Sequence, residues 1–154
     1  MFSDKNLCHW IGLFTMLFWA FAAHGQEVSW EEHSRAGKEA LAEGNYSLAK
    51  QHTLAAIAAA KLLGPEDPRI GFIMNDLAQI YRSLSDYKNA EIIHEEALEI
   101  LIERLGFRHS VTIAAMNNLA ELYTEIGHYS AAILLYKQII KITVNSLGSD
   151  HYIL

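Results

Sequence analysis

The sequence predicts an all-α fold, a solenoid of antiparallel helix hairpins, and three observations lead to it. The dipeptide Leu-Gly occurs at three places that are 42 residues apart: Leu63-Gly64, Leu105-Gly106 and Leu147-Gly148. Three tyrosines follow nearly the same period, at intervals of 41 and 42 residues: Tyr46, Tyr87 and Tyr129. Between these markers, apolar residues recur at spacings of three and four, as on one buried face of a helix. Such a period is typical of a repeat protein, whose units pack on their neighbours and leave one long face open for binding.

The amino-terminal segment does not share this pattern, and it predicts export. Residues 10–23 form an uncharged apolar run of 14 residues that follows Lys5. This length suits the core of a signal peptide and is shorter than the roughly 18 residues that span a bilayer. Ala23-His24-Gly25 places small residues where a signal peptidase cleaves, so we expect a signal peptide over 1–25 and a mature domain over 26–150. Asp4 weakens the positive flank that a signal peptide carries. The alternative, judged on the length of the run, is an uncleaved membrane anchor.

Composition excludes several classes of function. The chain has 18 acidic and 12 basic residues and no basic run, which argues against a nucleic-acid partner. Its only cysteine, Cys8, precedes the apolar run, so the mature chain would contain no thiol and no disulfide. Stability must then come from packing alone.

Each hairpin has its own start signal and its own buried stripe. The first begins at Ser29-x-x-Glu32, a capping box, and the second at Asp67-Pro68, a cap followed by proline at the first helical position. In the third, the second helix should run from Tyr129 to about Leu147 and end at Gly148. The predicted core of the second and third hairpins comprises these residues: Met74, Leu77, Ala78, Tyr81, Tyr87, Ala90, His94, Ala97, Ile113, Met116, Leu119, Ala120, Tyr123, Ala132, Leu135, Tyr136, Ile139 and Ile142 or Thr143.

Small residues recur at equivalent places where two helices must approach closely. A larger side chain at such a place would force the helices apart, at a cost of about 1–3 kcal/mol. We therefore interpret two sets of three as structural, one on the first helices and one on the second helices: Gly37, Ala78 and Ala120; Ala49, Ala90 and Ala132.

The motif Leu119-Ala120-x-x-Tyr123, Gly127-x-Tyr129, Ala132-x-x-x-Tyr136 resembles the tetratricopeptide repeat. The 42-residue period, with Asn117-Asn118 before the motif, is similar to the variety found in kinesin light chains. The resemblance implies a right-handed superhelix of about three repeats, at about 29–66, 67–108 and 109–150, that binds a protein or an extended peptide and has no chemistry of its own. Residues 151–154 would begin an incomplete fourth repeat.

The resemblance also implies that the first helix of each hairpin lines the concave side of the stack, here called the concave groove. Asn75 and Asn117 are one period apart and could hold the backbone of a peptide, since an amide both donates and accepts hydrogen bonds. Lys38 and Arg82 would favour an acidic ligand, and Phe72 would offer an apolar contact. Alternatively, the asparagines only find partners within the stack. The full set of expected partner-binding residues is Lys38, Phe72, Asn75, Gln79, Arg82, Asn117, Glu121 and Thr124, with Glu31, Ser34, Leu41 and Ala114 at equivalent places.

Other polar residues are interpreted as structural. Four glutamates at intervals of four form an acidic ridge, which we interpret as a solvated outer face, with a cation or basic-partner site as the alternative. The histidines lack the spacing of a zinc site on a helix; His94 should be packed, and His109 and His151 should lie in loops or caps. No nucleophile elbow or phosphate-binding loop is present, so no catalytic residue and no cofactor are predicted. The acidic ridge consists of Glu91, Glu95, Glu99 and Glu103, with Glu96 beside it.

These observations favour an exported, non-enzymatic interaction module that binds a peptide or partner protein in its concave groove. The alternative is a self-associating assembly subunit, such as a homodimer, or a truncated repeat fragment, because a solenoid without a capping helix leaves its last apolar face open.

Overall fold

The computed structural model describes residues 29–147, with side chains from 29 to 145, and within this range all regular structure is helical. The predicted signal segment, the cap at Gly148 and residues 151–154 lie outside the described residues. Short loops join consecutive helices into three antiparallel hairpins, which confirms the all-α repeat fold. The six helices are α1 (Trp30–Ala42), α2 (Tyr46–Lys61), α3 (Pro68–Ser83), α4 (Tyr87–Leu105), α5 (Ser110–Glu125) and α6 (Tyr129–Leu147).

The helices begin where side chains satisfy the free backbone N–H groups of the first turn. The Ser29 hydroxyl oxygen accepts a hydrogen bond from the Glu32 N–H at 3.4 Å, and an Asp67 carboxylate oxygen accepts one from the Arg69 N–H at 2.9 Å. His109, which we expected in a loop or cap, accepts one from the Val111 N–H at 3.2 Å. The start signals read from the sequence are therefore confirmed at these three helices.

The helices form two layers. The first helices of neighbouring hairpins, α1, α3 and α5, touch one another, whereas the second helices α2, α4 and α6 do not. A stack whose members lie closer together on one side curves toward that side, so the first helices line the concave face. No helix in the described part of the chain is long and apolar enough to cross a membrane.

Small residues allow the helices to pack this closely. All six residues that were predicted to lie at the close approaches are buried. A Cβ at Gly37 would lie 2.7 Å from the Thr53 hydroxyl oxygen, which itself donates to the Ala49 carbonyl at 2.8 Å. Gly71, which the sequence did not single out, is equally restricted, because a Cβ there would lie 2.9 Å from the Ala97 carbonyl oxygen.

The first hairpin differs in one respect from the expected register. Ser34, placed by the sequence on the concave groove, is only 8% exposed and packs with Gly37 and Ala40 on the buried face of α1. These three residues are small and three apart, so α1 lies closer to α2 than a stripe of large residues would permit. The expected groove position at Ser34 is therefore wrong.

We expect Ala120→Leu to lower the melting temperature far more than Glu99→Ala. Ala120 is 0% exposed between packed helices, so a leucine would overpack the core by about 1–3 kcal/mol. Glu99 is exposed, and its removal relieves repulsion along the acidic ridge. Thermal melts followed by circular dichroism measure both shifts, and equal shifts would contradict this assignment of the helix faces.

Candidate binding groove

The eight expected partner-binding residues lie on the first helices α1, α3 and α5. Lys38, Glu121 and Thr124 are exposed, and the other five are partly buried. On α3 and α5 these residues are spaced three and four apart, so those on one helix share one face of it.

A small cavity of about 90 Å³ lies in the groove where α3 meets α5. Its polar feature is the Asn75 side chain, whose amide oxygen is buried and accepts no hydrogen bond from any described residue. A buried acceptor in this state costs about 1–3 kcal/mol, which a donor from a ligand would offset. The cavity is lined by Phe72, Asn75, Leu101, Val111, Ala114 and Ala115.

The equivalent asparagine on α5 is in a different state. The Asn117 amide N–H donates to a Glu121 carboxylate oxygen at 2.7 Å, one helical turn away. Asn117 therefore has a hydrogen-bond partner within the stack, which was the alternative to peptide binding. The amide oxygen of Asn75 has no partner among the described residues. The two amides are equivalent in sequence but not in their hydrogen bonding.

The groove arginine is already neutralised by its own chain. Arg82 Nε lies 2.6 Å from Glu125 Oε2, and Arg82 Nη1 lies 3.4 Å from Glu121 Oε2, so α3 is tied to α5. From the sequence we expected this arginine to favour an acidic ligand, and we did not identify Glu125 as its partner. The signal was present, because Glu121 and Glu125 flank Thr124, which lies one period after Arg82.

The lysine of the groove is paired in a similar way. Lys38 Nζ lies 3.2 Å from Asp76 Oδ2, without the alignment of a hydrogen bond, and 4.5 Å from the centre of the Phe72 ring. Burial raises the pKa of Asp76, and Lys38 partly opposes that shift. Lys38 therefore covers the aromatic ring expected to contact a ligand. Neither groove cation is left unpaired to select an acidic ligand.

His94 lies in the core behind this surface, as the sequence predicted. It is 1% exposed, and neither ring nitrogen has a hydrogen-bond partner among the described residues. Burial, together with the nearby positive charge of Arg82, lowers the pKa of His94 to about 4. The ring is therefore neutral at pH 7 and acts as packing. Within residues 29–147, no group of three or more His, Cys, Asp or Glu side chains could hold a metal ion.

Repeated helical hairpins with an open inner face define a class of interaction modules, and comparison with known families identifies which one. A family model for the tetratricopeptide repeat matches residues 39–103 and 85–143, which together exceed half of the chain. The chain belongs to the tetratricopeptide repeat family. Repeats of this family typically bind proteins or peptides, so the fold is that of protein–protein interaction modules. The resemblance drawn from the sequence is confirmed.

Solved structures of kinesin light chain-like repeat proteins have a fold similar to that of this chain. The TPR-like repeats of a kinesin light chain from Podosopora anserina superpose with a TM-score of 0.68 at 23% identity, over 79% of this chain and 58% of that one. BtubC (BKLC) from P. vanneervenii gives a TM-score of 0.65 at 23% identity, over 73% and 44%. The chain thus spans about half the length of these solved relatives. No curated protein matches it.

The stability of the protein should fall between about pH 6.5 and pH 4 because of His94. The pKa of this histidine is lowered in the folded state, so the unfolded chain takes up the proton first. The stabilisation is complete above the unfolded pKa near 6.5, and it is lost as the pH falls through about 4. The change amounts to about 3 kcal/mol. Urea unfolding at pH 7, 5.5 and 4 measures it.

A His94→Leu variant should lose most of this pH dependence, since leucine fills a similar volume without titrating. His109→Asn is the matched control, because it removes an exposed histidine and leaves a good helix cap. If His94→Leu kept the full slope, the buried ring would not be its source.

Proposed function

We propose that the protein is exported and binds an extended peptide segment of a partner protein in its concave groove. The observation that supports this proposal best is the Asn75 side chain, which lines a small apolar cavity and whose amide oxygen is buried without a partner among the described residues. A peptide N–H would supply the missing hydrogen bond, and a small aliphatic side chain beside it would fill the cavity. Binding would then relieve a cost that the free protein bears.

The charge distribution of the groove supports selection by shape rather than by charge. Lys38 and Arg82 are paired with acidic residues of neighbouring hairpins, so a ligand carboxylate would have to displace an existing partner. A neutral peptide meets no such competition. The preferred ligand is therefore an extended segment with small apolar side chains and few charges.

Asn75→Ala combined with Asn117→Ala should weaken binding roughly tenfold to hundredfold, since hydrogen bonds from the ligand backbone to the two amide oxygens would together be worth about 1–3 kcal/mol. The melting temperature should stay the same or rise, because Asn75→Ala removes an unsatisfied buried acceptor. The probe is a fluorescent peptide selected from a display library on the purified protein. Fluorescence anisotropy gives the dissociation constants.

Gln51→Ala combined with Gln138→Ala is the matched control. It removes two amides of the same chemistry from exposed places on the second helices α2 and α6. Binding should be unchanged in this variant. Weakening by the glutamine pair, with no effect of the asparagine pair, would place the peptide on the outer face and overturn the proposal.

Export rests on the apolar run and the Ala23-x-Gly25 site of the amino-terminal segment. Expression of the full chain in a host with a secretory pathway should release a product that begins at Gln26. Intact-mass measurement of the secreted or periplasmic fraction tests this. A product that retains residues 10–23 and sediments with membranes would instead show an anchored protein.

A second candidate function, self-association, is favoured by the outer side of α6. Tyr129, Ile133 and Ile140 are 62%, 51% and 59% exposed, and their spacing places them on one side of the helix. Leu98, which lies one period before Ile140, is buried in the core cluster that joins α4 and α5. Ile140, at the equivalent place on α6, is exposed instead, and a second copy of the chain would bury it. Light scattering over a range of concentrations separates an assembly subunit from a monomeric module.

A further inference from the structure

The second helices divide their charges unevenly. Every carboxylate side chain on α2, α4 and α6 belongs to α4, which carries five glutamates and two basic residues, Lys88 and Arg104. By contrast, α2 and α6 carry no acidic residue and two lysines each, Lys50 and Lys61 on α2 and Lys137 and Lys141 on α6. A generally solvated outer face would not require this separation of charge. The acidic ridge is therefore a local feature of one hairpin.

The ridge borders an apolar groove on the outer face, between α4 and α6, with α5 as its floor; we call it the outer groove. Its volume is about 470 Å³. Three glutamates at intervals of four, Glu95, Glu99 and Glu103, form its rim over about 12 Å of α4. The rest of its lining is Leu98, Ile102, Leu119, Tyr123 and Leu135.

The glutamates of the rim differ in their partners. Glu95 accepts a hydrogen bond of 2.6 Å from the Tyr123 hydroxyl group, which fixes that end of the groove. Glu99 and Glu103 are exposed, and neither forms an ion pair or a hydrogen bond with any described residue. Like charges four residues apart destabilise a helix slightly, and a cationic partner would reverse that effect.

We propose that the outer groove docks a basic amphipathic helix of a partner protein. Leucine-like side chains on one face of that helix would contact Leu98, Ile102 and Leu135. Lysine or arginine residues four apart on the same helix would match the spacing of Glu99 and Glu103, because two aligned helices share the same rise per residue. The negative charge of the rim favours a basic helix, and the apolar lining of the groove favours a helix with one apolar face.

This site is separate from the concave groove, so the two can be tested independently. The probe is a fluorescent 14-residue peptide of leucines and lysines at helical period, compared with one in which glutamates replace the lysines and one in which serines replace the leucines. The purified protein should bind only the first peptide. Binding of the serine peptide with equal affinity would reduce the site to charge attraction and overturn the proposal.

Glu99→Gln combined with Glu103→Gln should weaken binding of the leucine–lysine peptide roughly three- to thirtyfold at low salt and reduce its dependence on salt. Folding is not at risk, because both side chains are exposed and their charges repel. Glu32→Gln combined with Glu43→Gln is the control, with the same change in net charge at exposed places on the first hairpin.

The proposal predicts that the control variant and the Asn75→Ala, Asn117→Ala variant bind the leucine–lysine peptide like the unmodified protein. Equal weakening in the control would show nonspecific attraction and overturn it. A concentration-dependent dimer that is lost in Lys137→Gln with Lys141→Gln, together with no peptide binding, would identify a second copy as the occupant and also overturn it.

Discussion

The close approach of helix backbones is the constraint on which the rest of this structure depends. Ala49, Ala90 and Ala132 are buried where each second helix meets its partner, and Gly37 leaves no room for a Cβ. Because packed interiors adjust little, this spacing fixes how far the neighbouring hairpins lie from one another. The first helices are thereby brought into contact, and the second helices are left apart. Both surfaces of the molecule, the concave groove and the outer groove, follow from that difference.

The two surfaces treat charge in opposite ways. On the concave side, contact between first helices lets Arg82 reach Glu125 and lets Lys38 reach Asp76, so cations and anions pair within the chain. On the outer side, the gap between α4 and α6 keeps Glu99 and Glu103 away from the lysines of α6. Exposed ion pairs contribute little to stability, but they decide which charges remain available to a ligand. The same repeat geometry thus yields one surface with its charge cancelled and one with its charge exposed.

The sequence predicted what depends on local order and period. Helix starts at Asp67 and His109, the buried stripe through Leu119, and the packed His94 all follow from spacing along one helix. It could not predict contacts between residues about forty apart whose side-chain directions are set by packing, such as Arg82 with Glu125. Ser34 was wrongly predicted to lie on the concave groove. The buried face of α1 consists of small residues, whereas large apolar residues mark the buried face in the other hairpins. The acidic ridge was visible in the sequence, but the apolar groove beside it exists only once α4, α5 and α6 are assembled.

The buried alanines and glycines also explain how such a chain can change over evolution. A solved structure with 23% identity to this chain has a similar fold, with a TM-score of 0.68. Alanine is smaller than almost every possible replacement, so mutations at Ala49, Ala90 or Ala120 are nearly always enlargements that overpack a helix contact. The exposed glutamates on the rim of the outer groove carry no such packing restriction. The charge of this surface can therefore change while the scaffold remains constant.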